Sequence, residues 1–224
     1  MKGARLAWLS LASLLLFNVM LVTLHFVDRD LDPIVQAISE YALGSFGWLL
    51  VVALLVFGLG IILLAAALWT ELTNPRPVVG IVFLLVAGIG PIIAAIFRTD
   101  PVDLRNPGAT ELTTSGTLHL VGFMLAVLGI IVAAPIISRR LGAPGNPMSH
   151  TIRVIGWTPI LAVAIFWASG MLDQPLGVLF DRPSAQGIAE RLMVAIVQVW
   201  LIAAAIAVIG RSRSVTPIPP ASRS

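Results

Sequence analysis

Six apolar stretches constrain this chain more than any other feature. Crossing the hydrocarbon core of a bilayer takes about 20 residues at 1.5 Å each. Leu6–Val27, Phe46–Thr70, Val78–Phe97, Ser115–Ser138, Val154–Leu172 and Ile188–Gly210 all qualify. The expected fold is all-α: a polytopic bundle of six transmembrane helices forming one domain over 1–210, with a disordered tail over 211–224. An even number of spans puts both termini on one side. The fifth segment is the weakest, because Pro159 and Gly170 lie within it.

Composition excludes the soluble alternative. Only 11% of the residues are charged, against about 25% in a soluble domain, so a water-facing surface cannot be covered. The mean hydropathy of +0.99 agrees. The pI near 10.5 reflects charges placed at segment ends, which topology explains better than a nucleic-acid partner. No basic-aromatic interleaving, phosphate-binding glycine loop or dinucleotide fingerprint is present. Without cysteine there is no disulfide, thiolate metal site or cysteine nucleophile. The first segment is too long for a signal peptide and lacks a small-x-small cleavage site, so it reads as a retained helix.

Charge placement orients the bundle. Nine of the fourteen Lys and Arg fall on the side of the termini, and ten of the eleven Asp and Glu fall on the other. The positive-inside rule makes the first side cytoplasmic. Trp8, Trp69 and Trp157 fall near the inner interface and Trp48 near the outer one. In the first outer loop, Asp32 suits an N-cap, Pro33 the first helical position and Gly44 a C-terminal cap. Ile34, Val35, Ile38 and Tyr41 recur at helical spacing between them, so a short interfacial helix is expected, with Ser39 and Glu40 near its end.

Helices in lipid associate through small and buried polar residues. In the fourth segment Ser115, His119, Gly122, Ala126, Gly129 and Ala133 share one face. In the third, Gly80, Leu84, Ala87, Pro91, Ala94 and Arg98 do the same, which aims Arg98 inward. Asn18 with His25, and Arg191 with Gln198, fall on single faces of the first and sixth. The expected site is an outward-facing polar pocket of Asn18, His25, Glu40, Arg98, Asp100, His119, Arg191 and Gln198. The competing view is that Arg98, Arg191 and His25 snorkel independently to water, an explanation that does not reach the deeper Asn18 and Gln198.

Several chemistries fit such a pocket. The arginines could pair with Asp100, Glu40 or Glu190 and simply staple the loops. They could hold a membrane lipid head group or a small anionic ligand. A lipid hydrolase would use His119 with Asp100 or Glu40 as general base, Arg98 at an oxyanion, and Ser39 or Ser115 as nucleophile. Binding is favoured over chemistry, because the nineteen-residue interval from Asp100 to His119 fixes no geometry. His25, His119 and carboxylates lack metal-ligand spacing. No cofactor is expected; a bis-histidine haem ranks with the metal.

Four ordered patches carry a resemblance: Ile38-Ser39-Glu40-Tyr41-Ala42-Leu43-Gly44 leading to Gly47-Trp48; Ile96-Phe97-Arg98-Thr99-Asp100-Pro101; Gly116-Thr117-Leu118-His119; and Gly187-Ile188-Ala189-Glu190-Arg191-Leu192 with Trp200 beyond. In these the chain resembles a family of bacterial and archaeal membrane proteins catalogued as domain of unknown function 998. It is more distantly similar to the six-helix Frag1/DRAM/Sfk1 proteins, which have a similar Asp-loop-His arrangement. The resemblance implies a fold, a multi-pass place in a bacterial or archaeal plasma membrane and a site, but no activity. Family members often carry histidine where Ser115 stands, and its absence here weakens a metal site.

Overall fold

The computed structural model describes residues 2–101, 112–142, 149–172 and 178–214. These residues form helices and no strand, and six of the helical spans are long and apolar enough to cross a membrane. The chain is a multi-pass integral membrane protein. Helix α1 covers Lys2–Val27, α2 Gly47–Glu71, α3 Val78–Ile96 and α4 Thr114–Leu141. The fifth span is built of two pieces, α5 (Ser149–Ile155) and α6 (Thr158–Met171), and α7 covers Gln186–Ser214. The loop end carries the connections after α1, α3 and α6; the terminal end carries residues 2 and 214. Successive helices from α1 to α4 pack as antiparallel neighbours, α6 packs on α7, and α1 meets α7 to close the ring.

Close approach holds the spans together. Lipid tails are as apolar as leucine, so helix association depends on fit and on interhelical hydrogen bonds. A side chain on Gly58 would meet the Gly88 carbonyl, and one on Gly90 would meet the Gly122 carbonyl and the Ala126 backbone. These glycines bring α2, α3 and α4 into backbone contact. The Ser10 hydroxyl donates to the Gly60 carbonyl at 2.7 Å, linking α1 to α2. The buried Trp200 indole donates to Ser138 Oγ at 2.8 Å, linking α7 to α4. The terminal half is a solid apolar core that includes Leu14, Leu64, Leu84, Ile137 and Leu201. Trp69 lies beneath the Arg76 guanidinium at that end, 4.1 Å from ring centre to charge.

Three local expectations are corrected. The fifth span is not one helix over Val154–Leu172. It breaks at Gly156-Trp157, where Gly156 abuts the Ser138 side chain and Pro159 sits in the first turn of α6, a position that needs no N–H. The last helix continues through Ser214, so residues 211–214 belong to it. The rest of the tail and the inner turn over 143–148 lie outside the described residues.

The third correction concerns the first loop. Asp32 starts a turn: its Oδ1 accepts from the Ile34 N–H at 2.9 Å, and its carbonyl from Val35 and Gln36. The chain then extends at Ala37, and a 3-10 helix runs only over Ile38–Leu43. The amides of Ala37 and Ile38 go to the carboxylates of Glu40 and Glu190, so side chains replace the helical ladder there. This helix also packs inward: Ile38, Tyr41 and Ala42 are buried with Leu24 and Leu50, plugging the loop end. Gly44 is extended rather than left-handed (φ −74°, ψ 176°); its missing side chain makes room for the Asp28 carboxylate.

The same loop is tied to the segment before α7. Arg182 Nε lies 2.6 Å from Asp32 Oδ2 in an ion pair that is about 40% exposed. Burial raises the Asp32 pKa, but the Ile34 N–H and the Arg182 guanidinium outweigh it, leaving a net lowering. The stabilisation is therefore present above the unfolded carboxylate range and is lost as pH falls through the lowered value. Asp32→Asn is expected to cost no more than about 1 kcal/mol at neutral pH, with the difference from wild type vanishing in acid melts.

Candidate functional site

The loop half of the bundle holds a cavity of about 340 Å³, within the range of small-molecule sites. Phe17, Phe57, Phe123, Phe166 and Met193 form its walls, and Ile61 and Ile130 lie where it meets the solid core. Polar residues line it only toward the loop end: Ser39, Thr99, Asp100, His119, Gln186 and Glu190. No lysine or arginine is among its described lining residues.

His119 is held by the end of α3. Its Nδ1 lies 2.8 Å from the Phe97 carbonyl and 3.0 Å from the Ala94 carbonyl. Carbonyls only accept, so Nδ1 carries a proton, and in the neutral imidazole Nε2 then keeps its lone pair. Ala94 lies in the last turn of α3 and Phe97 caps its end, where carbonyls have no helical partner. Nε2 has no hydrogen-bond partner among the described residues, and the side chain is 8% exposed. A buried imidazole lining the cavity thus presents a fixed acceptor.

Asp100 is a structural clamp as well as a lining residue. Oδ2 accepts from the Thr113 N–H and Oδ1 from the Thr113 hydroxyl, both at 2.8 Å. Thr113 in turn caps α4 by accepting from the Gly116 N–H at 3.1 Å. Gly116 has no side chain where the Asp100 carboxylate lies. The Ser115 hydroxyl donates to the Arg98 carbonyl at 2.8 Å. Residues 98–100 are thereby fastened to the start of α4, across the segment that lies outside the described residues.

Glu190 comes from the second turn of α7. Its Oε2 accepts from the Ile38 N–H at 2.8 Å, while Oε1 has no partner among the described residues. Like His119, Glu190 is more than nine-tenths buried.

A second polar cluster lies beside the cavity. Arg191 Nε donates to His25 Nε2 at 2.8 Å. His25 therefore carries its proton on Nδ1, which donates to the Leu21 carbonyl at 2.6 Å. Arg191 Nη1 donates to the Gln36 carbonyl at 2.8 Å and the Gly187 carbonyl at 2.9 Å. The guanidinium carbon stands 5.4 Å from the Tyr41 ring centre. Tyr41 is fully buried, and burial pushes its phenol up.

The eight expected residues therefore do not form one pocket. Asp100 and His119 line the cavity. Arg191 and His25 pair with each other. Glu40 Oε2 accepts from the Ala37 N–H at 2.8 Å. Asn18 donates back to the Leu14 carbonyl of its own helix. Gln198 is buried, with neither amide atom bonded among the described residues. Arg98 corrects the inward assignment: it is exposed and absent from the cavity lining. Helix α3 ends at Ile96 and Phe97 is extended (φ −104°, ψ 115°), so helical spacing no longer governs residue 98.

Glu190 is the lining residue that sequence reasoning grouped with the outer carboxylates but left out of the pocket. Its signal was available: Gly187, Glu190, Val194 and Val197 recur at helical spacing. No group of three or more His, Asp or Glu side chains placed to hold a metal occurs among the described residues.

A family model described as "Protein of unknown function (DUF998)" matches residues 10–207. No curated protein and no solved structure matches the chain.

Proposed function

The chain belongs to the DUF998 family of proteins of unknown function, and from that premise we propose that it binds a single-chain lipid or similar amphiphile. The apolar tail occupies the cavity between α1, α2, α3, α4, α6 and α7, and the polar head lies among Asp100, His119 and Glu190. The observation that carries this reading is the division of one cavity into aromatic walls and a polar loop end. Pockets of this kind orient a ligand by a few placed polar groups against a mostly hydrophobic lining. The loop end faces away from the cytoplasm in this reading, because Lys and Arg concentrate at the terminal end.

An anion held by two arginines has less support, since Arg98 is exposed and three Arg191 contacts are already spent on His25, Gln36 and Gly187. A hydrolase built on a His119–Asp100 pair also has less, because Asp100 gives both oxygens to Thr113 and His119 gives Nδ1 to backbone carbonyls. The direct test is native mass spectrometry of the purified protein. A lipid is expected to leave with the wild type and to be largely lost from Val194→Phe, which fills the cavity, while the two proteins melt at similar temperatures. Equal lipid retention by both would remove the cavity from the explanation.

A further inference from the structure

We propose that the ligand of this cavity carries a protonated amine head group. This inference deepens the lipid-binding reading and rests on it. The cavity's ionisable lining residues are Asp100, Glu190 and His119. The His119 Nδ1 proton is already given to two carbonyls at 3.0 and 2.8 Å, so what the neutral imidazole offers is the Nε2 lone pair. Glu190 offers Oε1, because Oε2 holds the Ile38 amide. Both residues are more than nine-tenths buried. A buried acceptor with no donor is unfavourable, and although the charge of Arg191 acts on Glu190, its hydrogen bonds go to His25, Gln36 and Gly187.

A ligand that completes this arrangement brings hydrogen-bond donors and positive charge. An ammonium has three donors and no acceptor. One can go to Glu190 Oε1 and one to His119 Nε2. Ser39, Thr99 and Gln186, which both donate and accept, add adaptable contacts at the same end. A phosphate or carboxylate head would face the Asp100 and Glu190 carboxyl groups with no Lys or Arg among the described lining residues. An alcohol supplies one donor and no charge. The walls admit the chain in every case, so the head group decides the ranking.

The test is a head-group series on the full-length wild-type protein in a nonionic detergent: dodecylamine, dodecanol, laurate and dodecyl phosphate, with affinities from ligand-dependent melting. Dodecylamine is expected to bind about tenfold or more tighter than dodecanol, with laurate and dodecyl phosphate weakest. Non-specific attraction to the loop end, where ten of the eleven Asp and Glu fall, would favour the amine in the same order, so the series is run at high salt, which screens it. Glu190→Gln, which keeps an acceptor for the Ile38 amide, is expected to weaken dodecylamine about tenfold and leave dodecanol unchanged. If Glu190→Gln does not fold, the wild-type series decides alone. An anionic head binding as well as the amine, an amine no better than the alcohol, or an unchanged amine affinity in Glu190→Gln overturns the amine assignment and leaves the lipid reading standing. Failure of all four compounds to bind overturns both.

Discussion

Gly90→Val is expected to abolish recovery of folded protein. A Cβ at residue 90 would lie 2.6 Å from the Ala126 amide nitrogen and 2.9 Å from its Cβ, besides meeting the Gly122 carbonyl. Two of these three atoms are backbone of α4, so no rotamer change makes room; α3 and α4 must separate. Their separation would undo the most extensive helix pair in the bundle and move Ala94 and Phe97 away from His119. Overpacking of a well-filled core costs about 1–3 kcal/mol where side chains can adjust. Against fixed backbone the loss should exceed about 4 kcal/mol, a large part of a typical stability of about 5–15 kcal/mol. Gly90→Ala should show the same defect in milder form, as a lowered melting temperature. Size-exclusion profiles in detergent are the measurement. A monodisperse Gly90→Val protein with wild-type melting would mean that α3 and α4 do not meet as described.

Arg191→Met is expected to lower stability by about 3 kcal/mol, the low end of the range for removing one partner from a buried charged pair, because Arg191, His25 and Gln36 are half-buried. The substitution keeps an apolar stem but strips donors from His25 Nε2 and the carbonyls of Gln36 and Gly187. Hydrogen bonds to a charged donor contribute about 1.5–3 kcal/mol each. Partial rescue by the remaining contacts explains why the expected total falls below their sum. Arg191→Lys should recover only part, because a point ammonium cannot reproduce the planar fork that reaches three acceptors at once. Thermal melts of the three proteins check the order wild type, Lys, Met. Equal melting of the Met variant and the wild type would show that this network does not hold the loop.

The spans were legible because bilayer thickness sets helix length. The small-residue face of α4 held for most of its length: His119, Gly122, Gly129 and Ala133 are buried, while Ser115 and Ala126 are half-buried. Facing arguments fail where helices stop. Residue 98 lies two positions past the end of α3, and the amides of Ala37 and Ile38 go to the carboxylates of Glu40 and Glu190 instead of to a ladder. The cavity was not legible, because the phenylalanines and valines that enclose it look like any others along an apolar run. The expected pocket includes Glu40 and omits Glu190, although helical spacing sets Glu190 on one face with Val194 and Val197, which line the cavity.

Four hydrogen bonds join the first loop to the start of α7: Gly187 and Ile188 donate to Val35 and Ile34, Ile38 donates to Glu190, and Arg191 donates to Gln36. Partners in the Ile38–Glu190 bond are 152 positions apart in the chain. At about 5–20 residues per second, a ribosome takes roughly 10–30 s to traverse such an interval. Throughout that time the polar segment after the first span has no final seat. The nascent protein must hold an open ring until its last span enters the bilayer and latches the two ends of the polypeptide together.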